Sequence, residues 1–234
     1  MSSKQQIRKI NAMKLRIEDL PEIEPITKNQ EKAFTLYEED NHLILSGSAG
    51  TGKTFIALYL ALEEVLDKDT PYDNIVLIRS VVPTRDIGYL PGNEEDKKDA
   101  YTGPYRAITA ELFGVGDAWN KLKQTGVINF ETTSFIRGTT YNNAIVIVDE
   151  MQNLNFHELD SVITRLGRDC RFIACGDYYQ SDFDKDKERN GILKFMNIVE
   201  HMKDFEVVEF GWHDIVRSGF VRDYIMTKEM LEIR

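Results

Sequence analysis

Eight consecutive residues in the first quarter of the chain have the pattern of a phosphate-binding loop. Gly47, Gly52, Lys53 and Thr54 have the spacing G-x-x-x-x-G-K-[ST], after an apolar segment typical of a strand. In such a loop the backbone N–H groups and the following helix N-terminus face phosphate oxygens. The lysine contacts the β- and γ-phosphates, and the threonine hydroxyl binds Mg²⁺. The residues predicted to bind a nucleoside triphosphate are Gly47, Ser48, Ala49, Gly50, Thr51, Gly52, Lys53 and Thr54.

Two carboxylates follow the most apolar segment of the sequence. Asp149 and Glu150 come directly after AIVIV, which we expect to be a buried strand. Ligands bind at the carboxyl ends of strands in open α/β sheets. Asp149 is therefore predicted to hold Mg²⁺, and Glu150 to polarise the attacking water as a general base. A second carboxylate here favours a hydrolase over a phosphate-loop kinase.

A third polar segment, GDYYQ, follows the strand pattern RFIAC. Gln180 is predicted to contact the γ-phosphate or its water, with Asp177 orienting it. A Gly-Asp pair after a strand is also typical of an ordinary turn, so this prediction depends on its combination with the loop and the two acids.

Short apolar segments separated by turns and helical patterns must position these residues. Strands are predicted over 42–46, 74–78, 127–131, 144–148, 171–175 and 206–210, and helices over 54–66, 155–164 and 191–201. Continuous apolar strands that alternate with helices are typical of a parallel sheet covered on both faces. The predicted fold class is therefore α/β.

The composition excludes several classes of protein. The 234 residues contain no apolar segment near the roughly 20 residues that span a membrane, and residues 1–11 lack the core of a secretion signal, which predicts a cytoplasmic protein. The net charge of −10 argues against a sequence-independent nucleic-acid coat, although not against a local basic patch. Cys170 and Cys175 have no histidine nearby, so we expect structural thiols rather than a zinc site.

Taken together, the motifs resemble the PhoH-like ATPases, which are RecA-like proteins related to superfamily 1 helicases. The segments that carry the resemblance are GSAGTGKT, RSVVPTRDIGYLPG, SFIRGTTYNNAIVIVDEMQN, GDYYQSD and DIVRSGFV. GYLPG, and the combination of Arg137-Gly138 with VDEMQN, are the family-specific parts. The resemblance implies a Mg²⁺-dependent ATPase with a three-layer RecA-like P-loop domain and a mainly parallel central sheet. It places this domain at residues 25–234, after an N-terminal extension at 1–24.

The resemblance also implies roles for individual residues. Gln30 in ITKNQ lies where related helicases have an adenine-reading glutamine, whose amide can bond both N6 and N7. Gln152 in DEMQN matches the coupling glutamine that lies beside the hydrolytic pair. Arg217 is the candidate arginine finger, a residue typically worth about 10³–10⁵ in rate, with Arg222 as the alternate. Ser218 follows Arg217 where family members often have histidine.

A single RecA-like lobe has half of a helicase cleft, so the resemblance implies that Arg217 completes the site of a neighbouring copy in a ring, a homohexamer. Short family members are frequent in tailed phages, which would place this protein in a host cytoplasm. Two functions stay open. One is an ATPase coupled to RNA or single-stranded DNA, with contacts from the segment 79–92, which contains Arg79, Arg85 and Tyr89, and further on from Lys97, Lys98, Tyr101 and Tyr105. The alternative is a slow ATP-driven switch or assembly protein that acts on a protein partner without nucleic acid.

A GTPase is disfavoured on the residues themselves. No Asn-Lys-x-Asp motif follows the apolar strand that ends at Asp149, and Asp149-Glu150 stands in place of an Asp-x-x-Gly switch.

Overall fold

The central element of the fold is a parallel sheet whose most buried strand carries the two predicted carboxylates at its end. The computed structural model describes residues 14–80, 101–133, 136, 138–177 and 186–231, with backbone only for 186–190. Its strands are β1 (His42–Gly47), β2 (Asn74–Arg79), β3 (Ile128–Thr132), β4 (Ala144–Asp149), β5 (Cys170–Gly176) and β6 (Phe205–Phe210). The strand order is β3-β2-β4-β5-β1-β6, and each neighbouring pair is parallel.

The predicted α/β class and parallel sheet are confirmed. Each predicted strand lies within an observed one, except that Val127 precedes β3 by one residue. The strands are easy to recognise because they are apolar along their length. All six residues of β4 are buried, as expected for a strand covered on both faces.

The helices in chain order are α1 (Lys28–Glu38), α2 (Lys53–Leu66), α3 (Gly103–Phe113), α4 (Ala118–Gln124), α5 (Phe156–Ile163), α6 (Asp186–Val199) and α7 (Gly219–Met230). The three predicted helices correspond to α2, α5 and α6. The other four were not predicted. Helix α7 buries none of its residues and so has no clear apolar stripe in the sequence.

Two hydrophobic cores cover the two faces of the sheet. One contains side chains of α1, α2, α3 and α4, and the other contains side chains of α5 and α6. This is the three-layer arrangement expected for the fold class. Leu15, within the predicted N-terminal extension, is buried in the first core. Within the described ranges, no helix is long and apolar enough to cross a membrane.

A buried cation lies at the amino ends of the parallel strands. Arg171, on β5, donates to the Glu64 carboxylate at 2.8 Å and pairs with Asp40. Its guanidinium also lies 4.3 Å from the ring centre of Tyr37, whose hydroxyl donates to Glu64 at 2.9 Å. This cluster ties α1 and α2 to the sheet at the amino ends of the strands. The phosphate loop lies at the opposite, carboxyl ends.

Candidate active site

The predicted phosphate loop follows β1, and its first residue lies directly against β6. Ser48 N donates to the Phe210 carbonyl at 3.0 Å. A Cβ on Gly47, which has φ of +122°, would lie only 2.0 Å from that carbonyl oxygen. Gly50 and Gly52 also have positive φ, in the left-handed region that favours glycine. The close approach to Phe210 therefore requires glycine at position 47, and the backbone at positions 50 and 52 favours it.

The loop forms one wall of a cavity of about 790 Å³. The predicted site residues that line it are Gln30, Gly47, Ala49, Gly50, Thr51, Gly52, Lys53, Thr54, Asp149, Glu150 and Arg217. Gln152 and Asp177 line it as well. Gln180 and Arg137 lie outside the described residues, as do Arg85, Tyr89, Lys97 and Lys98. The fold therefore brings residues from five separate parts of the sequence to one cleft.

Lys53 is the first residue of α2 and points back over the loop. Its Nζ donates to the carbonyl oxygens of Gly47 and Ser48, at 2.7 Å each. Burial lowers the pKa of Lys53 from its usual value, while nearby carboxylates oppose the shift. The ammonium is therefore held at the loop by neutral carbonyl groups, which a more strongly attracting phosphate can replace.

Thr54 and Asp149 meet at the base of the cavity. Thr54 Oγ1 donates to Asp149 Oδ1 at 2.8 Å, and Asp149 is almost fully buried. Mg²⁺ prefers oxygen ligands and commonly binds through one or two protein groups together with phosphates and water. A hydroxyl and a carboxylate side by side fit that ion. Within the described ranges, no group of three His, Cys, Asp or Glu side chains could form an all-protein metal site.

Glu150 is held at the turn after β4 by the amide of Gln152. Glu150 has φ of +53°, a left-handed conformation that is uncommon for residues other than glycine. The Gln152 amide nitrogen donates to the Glu150 carboxylate, and its oxygen accepts from Asp177 N at 3.1 Å. Gln152 therefore joins the ends of β4 and β5. A Cβ on Gly176 would lie 2.3 Å from this amide oxygen, so the contact depends on glycine there.

Gln30 is buried near the N-terminus of α1. Its Oε1 accepts from Ile26 N at 2.9 Å, and its Nε2 donates to the Thr51 carbonyl at 3.2 Å. An amide has two acceptor lone pairs and two N–H groups. These two contacts fix the direction of the side chain, and each end retains capacity for one further hydrogen bond.

Arg217 lies against the phosphate loop of its own chain. Val216 N donates to the Gly50 carbonyl at 3.0 Å, and Arg217 Cγ is 2.9 Å from where a Gly50 Cβ would be. The sequence predicts that this arginine completes the cleft of a neighbouring copy; within a single chain it lines the cleft beside its own loop. Arg222, the alternate, is on α7 and is not among the residues that line the cavity.

Three contacts of the site were missed in the sequence. Tyr105, on α3, was predicted from the sequence to contact nucleic acid; in the structure it donates to Asp149 Oδ2 at 2.7 Å. Burial, followed by the charge of Asp149, raises the pKa of Tyr105, so the hydroxyl stays protonated. Arg79 was assigned from the sequence to a nucleic-acid segment. It lies opposite Asp149 in the register of β2 and β4, and it lines the cavity. Glu229, on α7, accepts from the Ser48 hydroxyl at 3.0 Å and also from Trp212.

Comparison with known proteins places the chain among related sequences. A family model described as PhoH-like protein matches residues 22–229. The chain is 30% identical over 209 residues to a PhoH-like protein of Mycobacterium leprae, covering 87% of this chain and 57% of that one. It is 31% identical over 184 residues to the protein PhoH of Escherichia coli, covering 78% and 51%. The chain thus spans about half the length of these relatives.

Among solved structures, the fold is similar to the large terminase from a thermophilic bacteriophage. The TM-score is 0.50 with 13% sequence identity, and the match covers 88% of this chain and 50% of the terminase. At that identity the likeness concerns the fold alone.

The close approach of Gly47 to β6 leads to a stability prediction. We expect Gly47→Ala to lower the free energy of unfolding by about 1–3 kcal/mol, since a methyl group would meet a backbone carbonyl at a strained φ. Gly116→Ala is the matched control, because a Cβ there meets nothing within 4 Å. Urea unfolding followed by circular dichroism measures both. Equal stability of the two variants would contradict the tight contact.

Proposed function

This chain belongs to the PhoH-like protein family, and from that premise we propose that it binds ATP with Mg²⁺ and hydrolyses it. The observation that carries the proposal is the meeting of Lys53, Thr54, Asp149 and Glu150 in one cleft. Phosphoryl transfer to water requires a cation at the phosphates, oxygen ligands for Mg²⁺ and a carboxylate that accepts a proton. Lys53, the pair of Thr54 and Asp149, and Glu150 would supply these groups in turn.

In the proposed reaction, water attacks the γ-phosphorus while the bond to the β,γ-bridging oxygen breaks, giving ADP and phosphate. Lys53 binds the β- and γ-phosphate oxygens in place of its two carbonyl partners. Glu150 accepts the proton of the attacking water, with its carboxylate oriented by Gln152. Thr54 and Asp149 would hold Mg²⁺, which when bound neutralises charge on the phosphates. We also retain Gln180 as the proposed γ-phosphate sensor.

The nucleobase is proposed to be adenine. Gln30 lies beside Thr51 of the loop, and its amide keeps one free acceptor position and one N–H. These match the N6 donor and the N7 acceptor of adenine. Guanine presents an acceptor, O6, where adenine has its donor, so the same amide would favour ATP over GTP.

The role of Glu150 can be separated from nucleotide binding. We expect Glu150→Gln to bind ATP as well as the wild type, because the shape is kept, and to hydrolyse it at least about 10²-fold more slowly, because the base is lost. Glu200→Gln, an exposed acid on the surface, is the matched control. Phosphate release and binding of a fluorescent ATP analogue are the two measurements. Normal turnover by Glu150→Gln would remove it from the role of base.

Arg217 is proposed to stabilise the transferred phosphoryl group of its own chain's nucleotide, since it lies on its own loop. We expect Arg217→Ala to bind ATP and to hydrolyse it much more slowly, while Arg222→Ala stays close to the wild type. A mixture of Arg217→Ala and Lys53→Ala proteins should stay inactive, because neither chain holds a complete site. Recovery of phosphate release in the mixture would show instead that the arginine acts between copies.

We further propose that ATP hydrolysis is coupled to RNA or single-stranded DNA. Support comes from the sequence resemblance to helicase-related ATPases. The second candidate is a slow switch that acts on a protein partner. It is favoured by one observation, the large apolar side chains that α7 exposes beside the cleft, including Phe220 and Tyr224, which are 83% and 64% exposed. The same surface supports a proposed self-association into a ring.

Nucleic-acid stimulation distinguishes the two candidates. We expect RNA or single-stranded DNA to raise the rate of ATP hydrolysis, and to do so more strongly at low salt, since phosphate contacts weaken as salt rises. The assay measures phosphate release at two salt concentrations, on protein whose mass has been determined by light scattering. A rate unchanged by both nucleic acids at low salt would contradict the coupling and favour the protein-partner switch.

A further inference from the structure

Tyr105 is held rigidly behind the predicted metal-binding carboxylate. The residue is fully buried on α3. Its ring stacks on Trp119 of α4, with 6.0 Å between ring centres, and lies 5.8 Å from the ring of Phe130 on β3. Such aromatic packing leaves the ring little freedom. The position of the hydroxyl is therefore set by the core.

The hydroxyl completes the hydrogen bonding of Asp149. Tyr105 donates to Oδ2 at 2.7 Å while Thr54 donates to Oδ1 at 2.8 Å. A carboxylate with a donor on each oxygen is fixed against rotation about its terminal torsion, which is otherwise broad. Tyr105 itself is not among the residues that line the cavity, so it contacts the carboxylate from behind.

Arg79 adds a positive charge near the tyrosine and the carboxylate. This guanidinium belongs to the last residue of β2, which lies opposite Asp149 in strand register, and its positive charge acts on both Tyr105 and Asp149. A positive charge near the hydroxyl polarises it and strengthens its bond to the carboxylate.

We infer that Tyr105 is a positioning residue that orients Asp149 for Mg²⁺, through its hydroxyl and without touching the nucleotide. The inference rests on the proposed function, in which Asp149 holds that ion. Hydrogen-bond partners of metal ligands typically change metal affinity or activity by about 10–100-fold when they are removed. The expected effect of losing the hydroxyl is therefore a weaker response to Mg²⁺, with the nucleotide contacts of the loop unchanged.

Tyr105→Phe tests this directly, because it removes one oxygen and keeps the ring packing. The probe is a fluorescent, non-hydrolysable ATP analogue, titrated with Mg²⁺ present and with EDTA. Wild-type protein should gain affinity from Mg²⁺. Tyr105→Phe should have the wild-type Kd in EDTA. Its gain in affinity on adding Mg²⁺ should be about 10-fold smaller than that of the wild type. In an Asp149→Asn background, the tyrosine change should have no further effect on the gain.

Tyr37→Phe is the matched control. Tyr37 is also buried and also donates to a carboxylate, Glu64, but at the opposite edge of the sheet. It should lower the melting temperature as much as Tyr105→Phe does, and leave the gain from Mg²⁺ at the wild-type level.

Three results would overturn the inference. If Tyr105→Phe gains as much affinity from Mg²⁺ as the wild type does, the hydroxyl does not act on the metal. Equal weakening with and without Mg²⁺ would show a merely structural role. An equal loss in Tyr37→Phe would show that any buried hydroxyl matters. Wild-type protein that binds no nucleotide, or gains nothing from Mg²⁺, would instead defeat the proposed function and the inference with it.

Discussion

The hydrogen bond from Thr54 to Asp149 joins the two halves of the cleft, and the geometry of the site depends on it. Thr54 lies in the first turn of α2, directly after the loop, and Asp149 ends the most buried strand of the sheet. The bond therefore fixes the helix N-terminus relative to the carboxyl end of β4. Lys53 directly precedes Thr54, and Glu150 directly follows Asp149. The same hydrogen bond therefore positions both residues.

The strand order explains why this contact can form. β1 and β4 are both neighbours of β5 and not of each other, so the loop and the acids lie on either side of the end of β5. That end is narrow because Gly176 has no side chain, and Gln152 lies across it. On the other side, Gly47 allows the loop to lie against β6. Glycine is therefore needed both at the loop and at the end of β5, the strand that lies between the loop and the two carboxylates.

The parts of this site that could be predicted from the sequence are those carried by local patterns. The glycine spacing predicted the loop, and a run of four apolar residues placed Asp149 at a strand end. Tyr105 was predicted to contact nucleic acid, and no local pattern indicates its bond to Asp149, because the two are 44 residues apart and only the packing of α3 brings them together. Arg79 was recognised as charged, but its direction into the cleft follows from strand register. Helix α7 was missed because its apolar residues are exposed, and with it the contact of Glu229 to the loop.

The central claim is that this cleft hydrolyses ATP with Mg²⁺ through the phosphate loop. Release of phosphate from ATP by the purified full chain, with Mg²⁺ and with EDTA, tests it most directly when Lys53→Ala protein is measured in parallel. We expect release only by the wild type and only with Mg²⁺, since Lys53 is the residue proposed to bind the β- and γ-phosphates. Equal rates in the two proteins, or no release by the wild type, would contradict the claim.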